Sequence, residues 1–122
     1  MKRILVADDD AVLREMIHDT LGVLGYEVTL VENGDEVLQQ LAGSPPDLVL
    51  LDIQIPLLDG ISVVKKIRGN PELADLKVVA LSAFAMRGDD QKALDAGFDA
   101  YLTKPISIAD LRKKVQQMLN IL

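Results

Sequence analysis

The chain has 122 residues, of which 49% are hydrophobic, and a formal net charge of −6. This length and apolar content predict one domain, 1–122, with a real core, and the acidic charge argues against direct binding to nucleic acid, which needs a basic face. The lack of cysteine excludes disulfides and thiolate zinc sites, and the first apolar run is too short for a signal peptide or a membrane span, so we expect a cytoplasmic domain.

Short apolar runs alternate with segments of helical periodicity, which is typical of an α/β protein with a parallel sheet. The predicted strands lie near residues 2–7, 27–31, 47–52, 77–82 and 99–104. Most are continuously apolar, as expected when helices cover both faces of a sheet. Right-handed crossovers and a central first strand then predict a flavodoxin-like (βα)5 fold, with one sheet of strand order 2-1-3-4-5.

Helix signals fill the intervals between these strands. The first helix follows an acidic triplet that ends at Asp10, and its inward stripe is predicted from the spacing of Leu13, Met16, Ile17, Thr20 and Leu24. Asn33 is expected to cap the second helix, and Gly60 to lead the third. The fourth helix is predicted from Arg87 to Ala96 and the fifth from Ser107 to Leu119.

Candidate site residues lie at the ends of four of the five predicted strands. Asp8 and Asp9 come after the first strand, Asp52 ends the third, Ser82 ends the fourth and Lys104 ends the fifth. In an open parallel sheet such strand ends line one edge, where ligands bind. Three carboxylates, a hydroxyl and an ammonium at that edge indicate a divalent metal and a phosphoryl group.

The residue types at this edge suit phosphoryl chemistry. Asp8, Asp9 and Asp52 offer the hard oxygen ligands that Mg²⁺ prefers, and a carboxylate such as Asp52 can attack phosphorus to form an aspartyl phosphate. Lys104 can meet the phosphoryl oxygens as a compact charge, and Ser82 can donate a hydrogen bond to them. Taken singly, each residue is also an ordinary helix-end acid, loop cap or surface side chain; their joint occurrence at equivalent strand ends favours a site.

Together these residues resemble the receiver domain of bacterial response regulators, the CheY-like family. The most specific segment, Asp52 to Gly60, is similar to the family's stretch from the phosphorylated aspartate to a proline and a glycine. Leu81-Ser82-Ala83 resembles the family's switch site, and Tyr101-Leu102-Thr103-Lys104-Pro105 resembles its switch aromatic, lysine and cis proline. The resemblance covers essentially the whole chain, and the segment from Ser82 to Asp89 is similar to single-domain DivK-like receivers and to receivers of hybrid kinases.

The resemblance implies a role in two-component phosphorelay signalling. Asp52 would accept a phosphoryl group from a histidine kinase or phosphotransfer protein in a Mg²⁺-dependent step. Asp9 would ligate Mg²⁺ directly and Asp8 largely through water, with Asp52 and the backbone carbonyl of Gln54 completing the protein's ligands. The domain would catalyse only its own phosphorylation and dephosphorylation, and would not act as an enzyme on other substrates.

The same resemblance implies a conformational switch. Lys104 would bind the phosphoryl group, Ser82 would move toward it, and Tyr101 would rotate inward, next to a cis peptide at Pro105. The change would be read by a downstream protein on the face of the fourth helix, fifth strand and fifth helix. The domain would be a monomer or a weak dimer that depends on phosphorylation.

Two other classes fit part of the pattern. The run from Asp8 to Val12 also fits the Asp-x-Asp-x-Val/Thr motif of haloacid-dehalogenase-like phosphatases, with Asp8 as nucleophile. Against this, the chain is short for that fold and the motif gives no role to Asp52 or to the loop through Gly60. A third reading is a metal-binding module that is never phosphorylated. The phosphorylated residue separates the three: Asp52 for the receiver, Asp8 for the phosphatase, neither for the module.

Overall fold

The computed structural model describes residues 1–55, 57–83 and 89–119. Strands and helices alternate along this part of the chain. They are β1 (Arg3–Ala7), α1 (Ala11–Val23), β2 (Glu27–Val31), α2 (Gly34–Gly43), β3 (Leu48–Asp52), α3 (Gly60–Gly69), β4 (Lys77–Ser82), α4 (Asp89–Ala96), β5 (Ala100–Thr103) and α5 (Ile108–Leu119). The strands form one parallel sheet in the order β2-β1-β3-β4-β5, which confirms the predicted flavodoxin-like topology.

The observed boundaries lie close to the predicted ones. β2 and β4 match, β1 and β3 begin one residue later than predicted, and β5 is one residue shorter at each end. The predicted start of the fourth helix at Arg87 lies outside the described residues, whereas its end at Ala96 is observed. Gly97 then turns the chain with φ +122, a conformation that glycine adopts without a steric cost. No helix in the described ranges is long and apolar enough to cross a bilayer.

The core consists of two apolar layers, one on each face of the sheet. Successive side chains of a strand point to opposite faces, so Leu5 and Ala7 pack in a layer with residues of α2, α3 and α4. Ile4 and Val6 pack in the other layer, against α1 and α5. Every residue of the central strand β3 is buried, including the carboxylate that ends it. The prediction of helices on both faces is therefore confirmed.

The inward stripe of α1 differs in part from its prediction. The fully buried residues of this helix are Ile17 and Leu21, whereas Thr20 and Leu24 are only partly buried. Leu21 was missing from the predicted stripe. It lies four residues after Ile17 and therefore directly above it on the helix, so the line of closest approach to the sheet runs through this pair.

Side-chain caps set the start of three helices at the edge of the sheet that carries the acidic residues. Asp10 accepts hydrogen bonds from the amides of Val12 and Leu13, so its role is that of an N-cap for α1. Asn33 caps α2 as predicted, and Asp59 caps α3. A cap of this kind satisfies a backbone N–H that has no partner within the helix. Each cap thereby fixes the residue at which its helix begins.

Candidate functional site

Sheet register brings the polar strand ends to one edge. Asp52 pairs with Leu81 across β3 and β4, and Ser82 pairs with Thr103 across β4 and β5. Since β1 lies on the other side of β3, the residue that follows β1 comes beside Asp52. Lys104, one residue past β5, donates its backbone N–H to the Ser82 carbonyl at 2.7 Å. Four separate chain segments therefore converge on one place.

The side chains of Asp8, Asp52 and Lys104 meet there. The Lys104 ammonium lies 2.8 Å from Oδ2 of Asp8 and 3.2 Å from Oδ2 of Asp52. Asp8 is fully buried and Asp52 is 4% exposed, whereas the neighbouring Asp9 is exposed. Ligand oxygens of the three aspartates all lie within 4.8 Å of one another. Adjacent residues in the sequence thus supply one buried and one solvent-facing carboxylate to the same cluster.

Each buried carboxylate is oriented by the backbone that follows it. Oδ1 of Asp8 accepts from the amide of Asp10 at 2.8 Å, and Oδ1 of Asp52 accepts from the amide of Gln54 at 2.9 Å. In both cases Oδ2 is left to face Lys104. Oδ2 of Asp8 is buried, and among the described residues its polar partner is the Lys104 ammonium at 2.8 Å. A buried carboxylate oxygen with one ion-pair partner has lone-pair capacity left for a further ligand.

The cluster shifts the protonation equilibria of its members. Burial raises the pKa of Asp52; the amide of Gln54 opposes this, the charge of Asp8 adds to it, and Lys104 lowers it. Burial alone would lower the pKa of Lys104, but the contacts with Asp8 and Asp52 raise it overall. Three carboxylates against one ammonium leave an excess of negative charge at this edge of the sheet.

This excess of negative charge fits a small divalent cation. Mg²⁺ binds hard oxygen ligands and keeps several waters, so it needs few carboxylates and an open side. The exposed carboxylate of Asp9 gives the cluster an open side, and the buried Oδ2 of Asp8 offers a carboxylate ligand atom. The acidic cluster of Asp8, Asp9 and Asp52 can therefore hold a metal ion.

The raised pKa of Asp52 predicts a pH dependence of stability in metal-free protein. The folded state holds this proton more tightly than the unfolded chain, whose carboxyl has the ordinary value of 3.8. Between pH 3.8 and the raised pKa, the folded state therefore binds more protons than the unfolded chain. In that range the free energy of unfolding falls as the pH rises. Asp52→Asn lacks this titration, so we expect the free energy of unfolding of Asp52→Asn minus that of wild type to grow as the pH rises above about 4. Urea denaturation in EDTA measures it; a difference that shrinks with rising pH contradicts the assignment.

The remaining residues singled out in the sequence surround the cluster. Ser82 is partly buried at the end of β4, beside the backbone of Lys104. Tyr101 is 37% exposed, because the alternation of β5 turns it outward while Leu102 faces the core. The peptide bond between Lys104 and Pro105 is cis.

The loop from Asp52 to α3 closes tightly behind the cluster. The Gly60 amide donates to the Ile53 carbonyl at 2.9 Å, which brings the start of α3 against the end of β3. A Cβ on Gly60 would lie 2.5 Å from the Asp52 carbonyl oxygen and 2.8 Å from Cα of Ile53. Both contacts are with backbone, so a side chain here would displace the segment that carries Asp52.

Gly60→Ala is accordingly expected to destabilise the domain and to disturb the cluster. Overpacking of this kind costs about 1–3 kcal/mol, and the displaced Asp52 carboxylate should bind cations less tightly. Urea denaturation and a Mg²⁺ titration measure the two effects. Gly43→Ala is the matched control, since the space at that helical position is open and alanine is the better helix former. Equal stabilities of the two variants would contradict the close approach at Gly60.

Two contributors to the site were missed in the sequence. Asp59 caps α3 by accepting from the Ser62 amide at 2.9 Å, and this hydrogen bond is the main cause that lowers the pKa of Asp59. Its signature was readable, since an aspartate directly before the first helical residue is a preferred N-cap. Arg14 donates to the backbone carbonyl of Asp8, a contact that no sequence spacing announces.

Comparison with known proteins places this geometry in a family. The family described as "Response regulator receiver domain" matches residues 4–116. The polar-differentiation response regulator DivK of Brucella anthropi is 33% identical over 119 residues, which is 98% of this chain and 97% of that protein. These matches give no support to the alternative of a haloacid-dehalogenase-like phosphatase.

Solved structures agree with that assignment. The receiver domain of the sensor histidine kinase PA1611 from Pseudomonas aeruginosa PAO1, whose structure has a magnesium ion coordinated in the active site cleft, is 34% identical with a TM-score of 0.88, over 96% of each chain. The chemotaxis response regulator CheY4 of Vibrio cholerae superposes with a TM-score of 0.92 at 27% identity, over 98% of this chain and 99% of that one. The chain therefore belongs to the response regulator receiver domains, signalling modules of two-component systems in which an aspartate accepts a phosphoryl group.

Proposed function

We propose that Asp52 is the phosphoryl acceptor of this receiver and that Mg²⁺ is its metal. The observation that carries the proposal is the position of Oδ2 of Asp52, which faces the Lys104 ammonium at 3.2 Å within a cluster of three carboxylates. Asp8, Asp9, Asp52 and the Gln54 carbonyl would hold the ion, which supplies positive charge to offset that of the phosphoryl oxygens. Asp8 is less suited to attack, because its Oδ2 is fully buried.

The transfer itself requires little of the protein beyond placement and charge. The donor is a phosphohistidine of a histidine kinase or phosphotransfer protein. A carboxylate oxygen of Asp52 forms a bond to phosphorus while the bond between phosphorus and the histidine nitrogen breaks. The electron pair of that bond leaves with the imidazole nitrogen. Lys104 contacts the phosphoryl oxygens as a point charge, and Ser82 donates a hydrogen bond to one of them. Hydrolysis by water restores the carboxylate, so the domain catalyses only reactions of its own side chain.

We further propose that phosphorylation is read on the surface formed by α4, β5 and α5. Tyr101 lines a cleft of about 500 Å³ there, together with Leu94 and Lys113. An inward rotation of Tyr101 toward Ser82 would change the shape of this cleft, which suits a shift between two pre-existing states. The domain would span residues 1–122, work in the cytoplasm, and be a monomer or a weak phosphorylation-dependent dimer.

Intact mass and peptide mapping after incubation with acetyl phosphate and Mg²⁺ test the proposal. We expect one phosphoryl adduct, on Asp52, that disappears when EDTA replaces Mg²⁺. An adduct on Asp8 with turnover of a phosphate ester would instead support the phosphatase. Neither adduct nor turnover would support a metal-binding module without phosphorylation.

A further inference from the structure

The side chain of Arg14 lies against the loop that carries the acidic pair. Arg14 is one turn into α1, where its amide bonds to the Asp10 carbonyl at 3.0 Å. Only 14% of the side chain is exposed, because the guanidinium bridges two loops. Nη1 donates to the backbone carbonyl of Asp8 at 2.8 Å, and Nη2 pairs with Glu32 at 3.0 Å. The N–H groups of the planar guanidinium have fixed relative directions, so the contact with Glu32 also restrains the hydrogen bond to Asp8.

These contacts restrain the metal-binding loop at its backbone. The Asp8 amide donates to the Val31 carbonyl at 3.2 Å, so the residue is held on one side by β2 and on the other by Arg14. The carbonyl that Arg14 contacts belongs to the peptide that joins Asp8 to Asp9. Because a peptide unit is planar, holding its oxygen also sets the direction in which Asp9 leaves the strand.

The charge of Arg14 acts in the opposite direction to its geometry. A guanidinium near three carboxylates repels a cation, so Coulomb's law alone predicts that its removal would tighten Mg²⁺ binding. If Arg14 instead serves to hold Asp8 and Asp9 in place, its removal would weaken binding. The sign of the effect therefore separates the two roles.

We propose that Arg14 is a positioning residue for the magnesium site, which fixes the Asp8–Asp9 peptide through its hydrogen bond to the Asp8 carbonyl and is braced by Glu32. The inference rests on the proposed Mg²⁺ site of Asp8, Asp9 and Asp52. Hydrogen bonds that orient metal ligands typically change metal affinity by about 10–100-fold when removed. A contact with the backbone of a ligand residue belongs at the lower end of that range.

A Mg²⁺ titration of the full chain, followed by amide NMR shifts at constant ionic strength, tests this role. Arg14→Met keeps the apolar stem and removes the fork, and we expect its Mg²⁺ Kd to rise about tenfold. Arg14→Lys keeps the charge but not the fork, and we expect a smaller rise. Lys77→Met removes one positive charge at the opposite edge of the sheet, where β4 begins, and its Kd should match that of wild type.

The Mg²⁺ Kd values of the Arg14 variants separate positioning from charge repulsion. A higher Kd in both Arg14 variants supports positioning, since the Coulomb term predicts a lower Kd for Arg14→Met and no change for Arg14→Lys. An unchanged or lower Kd in folded Arg14→Met overturns the inference, and so does an unchanged Kd in Arg14→Lys if Arg14→Met does not fold. Urea denaturation in EDTA records any purely structural loss separately. Failure of wild type to bind Mg²⁺ overturns the metal site itself and the inference with it.

Discussion

Asp52→Asn should reduce phosphoryl incorporation from acetyl phosphate and Mg²⁺ from stoichiometric to undetectable. The amide of asparagine keeps the shape of the side chain and an oxygen that accepts from Gln54, but it lacks the anionic oxygen that attacks phosphorus. The fold should persist, because the substitution replaces a buried charge with a neutral group of equal size. Intact mass spectrometry records the adduct, and circular dichroism records the fold.

Asp75→Asn is the matched control for this experiment. Asp75 is exposed in the segment before β4, and its substitution makes the same change of charge away from the cluster. The control should label as fully as wild type. Stoichiometric labelling of folded Asp52→Asn would show that another residue accepts the phosphoryl group, and peptide mapping would then identify it.

Lys104→Ala should uncouple phosphorylation from the conformational change and destabilise the metal-free domain. The ammonium is the cation shared by two buried carboxylates, at 2.8 Å from Asp8 and 3.2 Å from Asp52. Removing one partner of a buried ion pair costs about 3–5 kcal/mol, because the remaining charge stays buried without compensation. Mg²⁺ should recover part of this loss, since a divalent cation supplies the missing charge. Asp52 should still accept phosphate, whereas the shift that follows it should be lost.

Two measurements separate these effects of Lys104→Ala. Urea denaturation with EDTA or with Mg²⁺ gives the stability and its recovery by metal, and amide NMR shifts of α4, β5 and α5 before and after acetyl phosphate give the conformational response. Lys65→Met, on the exposed face of α3, controls for the loss of a surface lysine. An unchanged phosphorylation-induced shift in Lys104→Ala would contradict the role of the ammonium in coupling.

Backbone amides and one shared ammonium offset the repulsion between the two buried carboxylates. Asp8 and Asp52 are almost inaccessible to water, and each directs one oxygen to a backbone amide and the other toward Lys104. Such an arrangement is costly without a full set of partners.

Much of this fold was readable from local pattern. Mostly continuous apolar runs marked the strands, and the polar residues that ended four of them marked the carboxyl edge of the sheet. Asn33 was recognised as a cap because a helix start needs a side-chain acceptor for its free N–H groups. Local pattern worked here because strand period, helix period and cap chemistry depend on neighbours within a few residues.

Other features needed the folded chain. The sequence alone does not distinguish Asp8, which is fully buried, from Asp9, which is exposed. Arg68 offers a second example, since it pairs with Asp99 at 2.8 Å and donates to the Leu76 and Gly97 carbonyls. Leu57 adopts a positive φ of 71 in the loop after Asp52, although leucine is disfavoured there. All three are set by contacts between segments far apart in the chain or by the closure of a loop.

By itself, the sequence determined the alternation of strands and helices, the order of the sheet and the residue types at its carboxyl edge, because local periodicity and the handedness of crossovers leave few other solutions. Only the tertiary structure decided that one ammonium lies between Asp8 and Asp52, and that Arg14 contacts the backbone of the loop that follows β1. Those contacts depend on sheet register and on the direction of long side chains, which are settled by packing between distant segments.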